Sequence, residues 1–289
     1  MDQGSLKAVK MLATGAYQPG EPVPYDEIER YLGELDEAPE PIQKMIRSFK
    51  PRMKEMLGMD YYYYAIDPET RETTESIVSL GTKAARRAIE KAGIEPGDID
   101  LIVFGGALME RLICPPTAPM IQAELGIERC GEVSIHSNCT ATYKAMQVAY
   151  DAIRLGRYET ALIVSSTMPS QLFRKEYYNQ KKVTLEQGIL RWFLCDGAGA
   201  MILQADDGHH EGIYLMGTYI ESVGTHYEPH MYTEFAASNI NLLDNYEAGR
   251  HHLNQDLRKV AAVGGPIFLD GSMRMMKEFD LTTEEITYF

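Results

Sequence analysis

Apolar residues recur along this chain with two periods, and the alternation between them marks out its elements. Residues 7–17 (KAVKMLATGAY) predict an opening strand that closes at Gly15. Pro22, Pro24 and Asp26 introduce a short helix over 25–35; a second, rich in Met and basic residues, covers 41–57 and stops at Gly58. Four consecutive tyrosines, Tyr61 to Tyr64, read as a half-buried strand. Ile77, Leu80, Ala84, Ala85 and Ile89 then fall at helical spacing, with Thr73 or Thr74 placed to cap that helix and Gly93 to end it.

Residues 99–104 (IDLIVF) form a short apolar run bounded by glycines, the pattern of a buried parallel strand. Pro115 and Pro116 open another helix that closes at Gly126. Residues 131–135 are a short run leading into a helix whose apolar face is Ala145, Val148, Ala149, Ala152 and Ile153. Residues 161–165 (ALIVS) predict a strong strand, 171–187 a polar, helix-leaning insertion, and 190–203 a strand pair broken at Asp196 to Gly199. Further on, 212–223 predict a strand, 248–279 a helical region interrupted at Gly264, Gly265 and Pro266, and 280–289 the approach to one more strand. Strands alternating with helices of this length imply a layered α/β fold, with a parallel sheet covered on both faces.

Composition narrows the function classes. A chain of 289 residues with 45% hydrophobic and 24% charged residues has the make-up of a soluble globular protein with a sizeable core. Its formal net charge of −14 argues against a nucleic-acid backbone or an anionic membrane as the main partner. The first residues lack the apolar core of a signal peptide, and no apolar run approaches a membrane span. Cys114, Cys130, Cys139 and Cys195 form no CxxC pair and have no His at zinc-finger spacing. Free thiols in a reducing cytoplasm are the expectation.

Cys139 is the candidate catalytic residue. The pattern places it where a strand gives way to a helix, so the first backbone N–H groups of that helix and the positive end of its dipole lie near the sulfur. Such a setting favours a thiolate and offers donors to an oxyanion formed when a thioester is attacked. A buried structural cysteine is the alternative at this stage. His136, three residues earlier, is placed either to reach the same pocket or to pack beneath it. His226 and His230 fall in a polar loop, His251 and His252 open a helix, and His209 and His210 sit in a turn near Asp206 and Asp207. None has HExxH spacing or a clear third ligand, so surface loops are expected and no metal site.

Four segments, in order, resemble the thiolase-fold condensing enzymes, most closely the ketoacyl-acyl-carrier-protein synthase III group. They are residues 92–103 (AGIEPGDIDLIV), residues 116–126 (PTAPMIQAELG), Cys139 with its helix and the 161–164 strand, and residues 196–200 (DGAGA). The resemblance implies a thiolase-like layered α-β-α-β-α fold. Its first half, residues 1–206, is complete and carries the nucleophilic Cys139; the second begins at 207–289 and is truncated. It further implies that an acyl group from acyl-CoA or acyl carrier protein forms an acyl-S-Cys139 intermediate and passes to a malonyl-type carbon nucleophile, with no permanently bound cofactor. The expected protein is a cytoplasmic homodimer that pairs through residues 161–166.

Departures from the family pattern matter too. The chain stops before the His and Asn that assist the second step in the family. That leaves open a fragment, a partner chain that supplies them, or a subunit without the condensation step; an O- or N-acyltransferase on the same fold is a further alternative. Residues 52–59 lack the Trp and the Arg that contact the CoA nucleotide in some members, although Arg52 and Lys54 remain available for a phosphate. Around the cysteine, Asn138, Thr140, Ala141 and Thr142 replace the common Ala-Cys-Ser-Gly pattern, which points to a specialised branch such as secondary metabolism. Glu110 stands where related head-to-head condensing enzymes place a carboxylate used by the dimer partner; a solvated charge is the alternative.

Overall fold

A computed structural model of the chain describes residues 6–206, 208, 212–235, 238 and 241–287. In chain order its elements are β1 (Val9–Tyr17), β2 (Val23–Pro24), α1 (Ile28–Leu32), α2 (Glu40–Leu57), β3 (Tyr61–Tyr62), α3 (Ile77–Ala92), β4 (Leu101–Gly106), α4 (Thr117–Leu125), β5 (Gly131–His136) and α5 (Ala141–Arg154). They continue with β6 (Thr160–Thr167), α6 (Ser170–Phe173), α7 (Lys175–Tyr178), α8 (Leu185–Leu190), β7 (Gly197–Ala205), β8 (Ile213–Leu215), β9 (Met231–Tyr232), α9 (Leu242–Glu247), β10 (Asn254–Gln255) and α10 (Leu257–Glu278). They gather into two units. Unit 1 takes residues up to 33, 59–173 and 194–218, and unit 2 takes 34–58, 174–193 and 219–289.

Unit 1 is built on a six-stranded sheet of order β5-β4-β6-β7-β1-β8. β4 lies parallel to β5 and β6, whereas β7 runs antiparallel to both β6 and β1, and β8 is antiparallel to β1. The sheet is therefore mixed rather than parallel. The connection from β6 to β7 runs through the insertion at 174–193, and β7 comes back in the opposite sense. Every residue of β4 is buried, as its apolar run predicts. One face packs on α3 and α4 through Leu80, Ala84, Ala88, Phe104, Ile121 and Ile202, and the other on α5 through Val103, Ala145, Ala149, Ile153 and Ile163. Unit 1 is thus a layered α/β structure, an α-β-α stack.

Several elements differ from their sequence reading, each for a local reason. α3 starts at a Ser76 cap rather than at Thr73 or Thr74, because Ser76 and Ser79 satisfy each other's backbone N–H groups reciprocally; Thr73 instead bridges to Ile66. Residues 190–203 yield one strand, β7, since a Thr184 cap draws 185–190 into α8. The strand expected over 212–223 shrinks to Ile213–Leu215. The helical region keeps its Gly-Gly-Pro segment inside an unbroken α10, Leu257–Glu278, and residues 283–285 form a 3-10 turn where a strand was expected to begin. β6 is hydrogen-bonded on both sides, so it has no free edge for pairing across a two-fold; β5 and β8 are the edge strands.

In unit 2, α2 packs on α8, and Tyr177, Tyr178, Tyr246, His251 and His252 form an aromatic cluster between the 174–193 insertion and the chain after α9. His251 and His252 are buried, against the expectation of a surface site: Tyr246 stacks on the His251 ring, Tyr178 lies tilted against the His252 ring, and the His251 Nε2 lies 2.7 Å from the Tyr177 carbonyl oxygen. His226 and His230 do lie in a loop, and His209 and His210 fall outside the described residues.

Candidate active site

Cys139 stands where the sequence places it, in the turn between β5 and α5, and it is exposed. The turn is fixed from both sides. The Ser137 N–H donates to the Gly106 carbonyl (3.1 Å), the Ala141 N–H to the Asn138 carbonyl (2.9 Å), and the Lys144 N–H to the Thr140 carbonyl (3.0 Å). Lys144 Nζ donates to Ser137 Oγ at 2.8 Å, tying the first part of α5 back to the end of the turn that holds Cys139. His136 is exposed, with Nε2 3.0 Å from the Ala107 carbonyl oxygen, and it is not part of the lining of the cleft described below.

Glycine at the end of β4 makes this arrangement possible. A Cβ on Gly105 would lie 2.7 Å from the Ala141 carbonyl carbon and 3.1 Å from the Ala145 Cβ, so the first turn of α5 rests directly on the strand backbone. Gly105→Ala is therefore expected to cost about 1–3 kcal/mol by overpacking. A urea titration followed by circular dichroism reads the loss, and an unchanged midpoint would contradict the close approach.

Beside α5 opens a cleft of about 590 Å³, lined by Thr142 and Met146 of that helix, the end of β1 from Thr14 to Gln18, Ser165 to Thr167 of β6 and Gly197 to Met201 of β7. Its size suits a small-molecule or acyl ligand. Tyr63, Cys195 and Asp196 complete the wall. Burial pushes the Cys195 thiol up, Asp196 adds to the rise, and a backbone hydrogen bond at Tyr63 opposes it, so this second cysteine stays protonated at neutral pH.

Asp196 is the group that sequence reading undervalued. It is 2% exposed and accepts three hydrogen bonds: Ala65 N–H to Oδ2 (2.7 Å), Ser170 Oγ to Oδ2 (2.6 Å) and Ser170 N–H to Oδ1 (3.0 Å). Burial raises its pKa, while those three donors pull the other way. The DGAGA motif flagged the segment, but its donors come from positions far away in sequence. At the β1 end of the cleft, Tyr17 donates to Glu75 (3.0 Å), which also pairs with Lys83. Glu110 is neither a free nor a fully solvated carboxylate: it is half-buried, and its Oε2 accepts the Val78 N–H at 3.2 Å, in the first turn of α3. Among the described residues no three His, Cys, Asp or Glu side chains gather as a metal site, and no helix is long and apolar enough to cross a membrane.

Comparison with known proteins agrees with this architecture. Residues 133–224, which include Cys139, match the family model for 3-oxoacyl-[acyl-carrier-protein (ACP)] synthase III. The beta-ketoacyl-[acyl-carrier-protein] synthase III of Rhizorhabdus wittichii is 33% identical over 172 residues, covering 60% of this chain and 48% of that protein. The Brucella suis protein of the same name is 29% identical over 219 residues, covering 74% and 61%. The chain thus spans about half to three-fifths of the length of these relatives. Among solved structures, the tetronic acid condensing enzyme AbyA1 superposes with a TM-score of 0.78 at 20% identity, over 97% of this chain and 77% of that one. A Cys-to-Ser variant of Xanthomonas campestris OleA, solved with bound lauric acid and lauroyl-CoA, gives 0.76 at 17% identity, over 97% and 76%. The chain therefore has the fold of these condensing enzymes, and over residues 133–224 it is similar in sequence to the ketoacyl-acyl-carrier-protein synthase III proteins.

Proposed function

We propose that the chain is a condensing acyltransferase that works through Cys139. The Cys139 thiolate attacks the carbonyl of an acyl-CoA or acyl-carrier thioester; a new C–S bond forms as the donor's C–S bond breaks, the departing thiolate takes up a proton, and an acyl-S-Cys139 intermediate remains. A malonyl-type thioester then loses carbon dioxide, and the resulting carbanion attacks the acyl carbon and releases the Cys139 thiolate. The observation that carries this reading is the exposed cysteine in a strand–helix turn, within the segment that matches the synthase III model and three residues before Thr142, which lines a cleft of acyl-ligand size. The helix N-terminus at Cys139 favours an oxyanion there. The proposed setting is fatty-acid-like or secondary-metabolite biosynthesis in the cytoplasm, with no permanently bound cofactor. The open edge of β5 suits pairing of two copies as a homodimer.

Intact-protein mass, before and after incubation with a panel of acyl-CoA and acyl-carrier thioesters, tests the reading. An acyl-sized gain that maps to Cys139 and falls to background in Cys139→Ala is the expected result. A variant that acylates like the unmodified chain would end the proposal.

A further inference from the structure

The first turn of α5 breaks a local rule. A helix N-terminus carries partial positive charge and favours acidic side chains, yet this turn holds no acidic residue and ends in Lys144. In α2 and α10 a lysine near the N-terminus is matched by a carboxylate: Lys44 pairs with Glu40 at 2.6 Å, and Lys259 with Asp256 at 3.3 Å. Lys144 has no such match. It is half-buried, and among the described residues its ammonium donates only to the Ser137 hydroxyl, at 2.8 Å.

That hydroxyl belongs to the turn that carries the cysteine. Ser137 stands two residues before Cys139, its N–H donates to the Gly106 carbonyl, and its Oγ lies 3.4 Å from Oγ1 of Thr140, the residue after the cysteine. Lys144 is thus tied to both flanks of Cys139, by its backbone N–H to the Thr140 carbonyl at 3.0 Å and by its ammonium to Ser137. Two residues of chain span at most about 7 Å, and a charge is felt over roughly 8–10 Å at ordinary salt. Negative charge on Cys139 can therefore feel the ammonium without touching it. A lysine on a helix surface is ordinarily a solvated charge; here it adds to the helix dipole at one turn, and no carboxylate among the described residues offsets the two.

We propose that Lys144 is a positioning residue for the Cys139 reaction: anchored on Ser137, its ammonium favours negative charge at the turn, so that the Cys139 thiol gives its proton to solvent and the sulfur stays ionised for attack. The inference rests on Cys139 being the nucleophile of the acyl-transfer reading above, but its test needs no acyl transfer.

The test follows alkylation of Cys139 by iodoacetamide, in which the thiolate sulfur displaces iodide, from about pH 5.5 to 9.5. Peptide fragmentation separates the Cys139 adduct from those of Cys114, Cys130 and Cys195. In Lys144→Gln the pH of half-maximal rate is expected to rise by about 0.5–1 unit, so that alkylation at neutral pH slows about threefold to tenfold while the plateau at high pH is kept. Lys144→Arg should retain the unmodified profile, and Ser137→Ala, which frees the ammonium without removing it, should fall between. His136 on β5, Tyr143 on α5, and Glu110 and Arg111 after β4 are present in every sample, so the difference between profiles reports Lys144. A Lys144→Gln profile that coincides with the unmodified one overturns the proposal. A profile lowered by one factor at every pH also overturns it and marks a purely structural role. Far-UV circular dichroism checks the fold of each sample. A Gln variant without the native spectrum is replaced by Lys144→Met, for which the same shift is expected. Loading of Cys139 from an acyl N-acetylcysteamine thioester runs alongside. A shifted profile without loading leaves the role of Lys144 standing and ends the acyl-transfer reading; loading with coincident profiles does the reverse.

Discussion

Asp196→Ala is expected to lower the stability of unit 1 by about 3–5 kcal/mol, the sum of three buried donors left without an acceptor at roughly 1–3 kcal/mol each, less the burial cost of the carboxylate that is removed. The donors converge from Ala65 and Ser170, so one carboxylate ties the start of β7 to two segments that lie 131 and 26 residues away. Asp196→Asn keeps the size but turns an amide NH2 toward donors, and it should fall between the unmodified chain and Asp196→Ala. Ser170→Ala removes one hydroxyl donor and should cost about 1 kcal/mol. Urea midpoints by circular dichroism order the three variants. An Asp196→Ala midpoint close to that of Ser170→Ala would mean that the backbone donors are satisfied some other way. Because Asp196 and the strand it anchors line the cleft, a loosened wall should also slow acylation of Cys139 by bulky donors more than by acetyl donors.

Unit 2 should weaken in acid through His252. The ring is fully buried, lies 4.3 Å from the His251 ring and 4.4 Å from the Tyr178 ring, and neither of its nitrogens has a hydrogen-bond partner among the described residues. Burial, followed by the neighbouring His251, pushes its pKa down to about 4; the Tyr178 backbone pulls slightly the other way without reaching hydrogen-bond geometry. The unfolded chain takes up the proton near 6.5, the folded one only near 4. The contribution is thus complete above about pH 6.5 and is lost as pH falls toward 4, by about 3 kcal/mol in all. Trp192 fluorescence follows urea unfolding of unit 2 across that window. His252→Phe, which keeps a ring in the cluster and removes the titrating group, should flatten the dependence between pH 6.5 and 4. A variant with the same slope as the unmodified chain would place the acid sensitivity elsewhere.

Patterns of a few residues were enough to read much of this protein. The apolar run of β4, the helical spacing of Leu80, Ala84, Ala85 and Ile89, and the Gly93 and Gly126 terminations depend on period and local backbone preference, which act over one or two turns. The same short-range logic located Cys139 at a strand–helix turn. Tertiary structure decided what depends on distant neighbours. The antiparallel return of β7 made the sheet mixed and closed β6 in from both sides, because a strand's neighbours come from segments far away in sequence, and no residue of β6 encodes that. The carboxylate of Asp196 found its donors, and His252 its dry enclosure, only when segments far apart in sequence came together. Pairing and burial are properties of those neighbours, so a one-dimensional pattern carries the candidate cysteine but not the groups that brace its cleft.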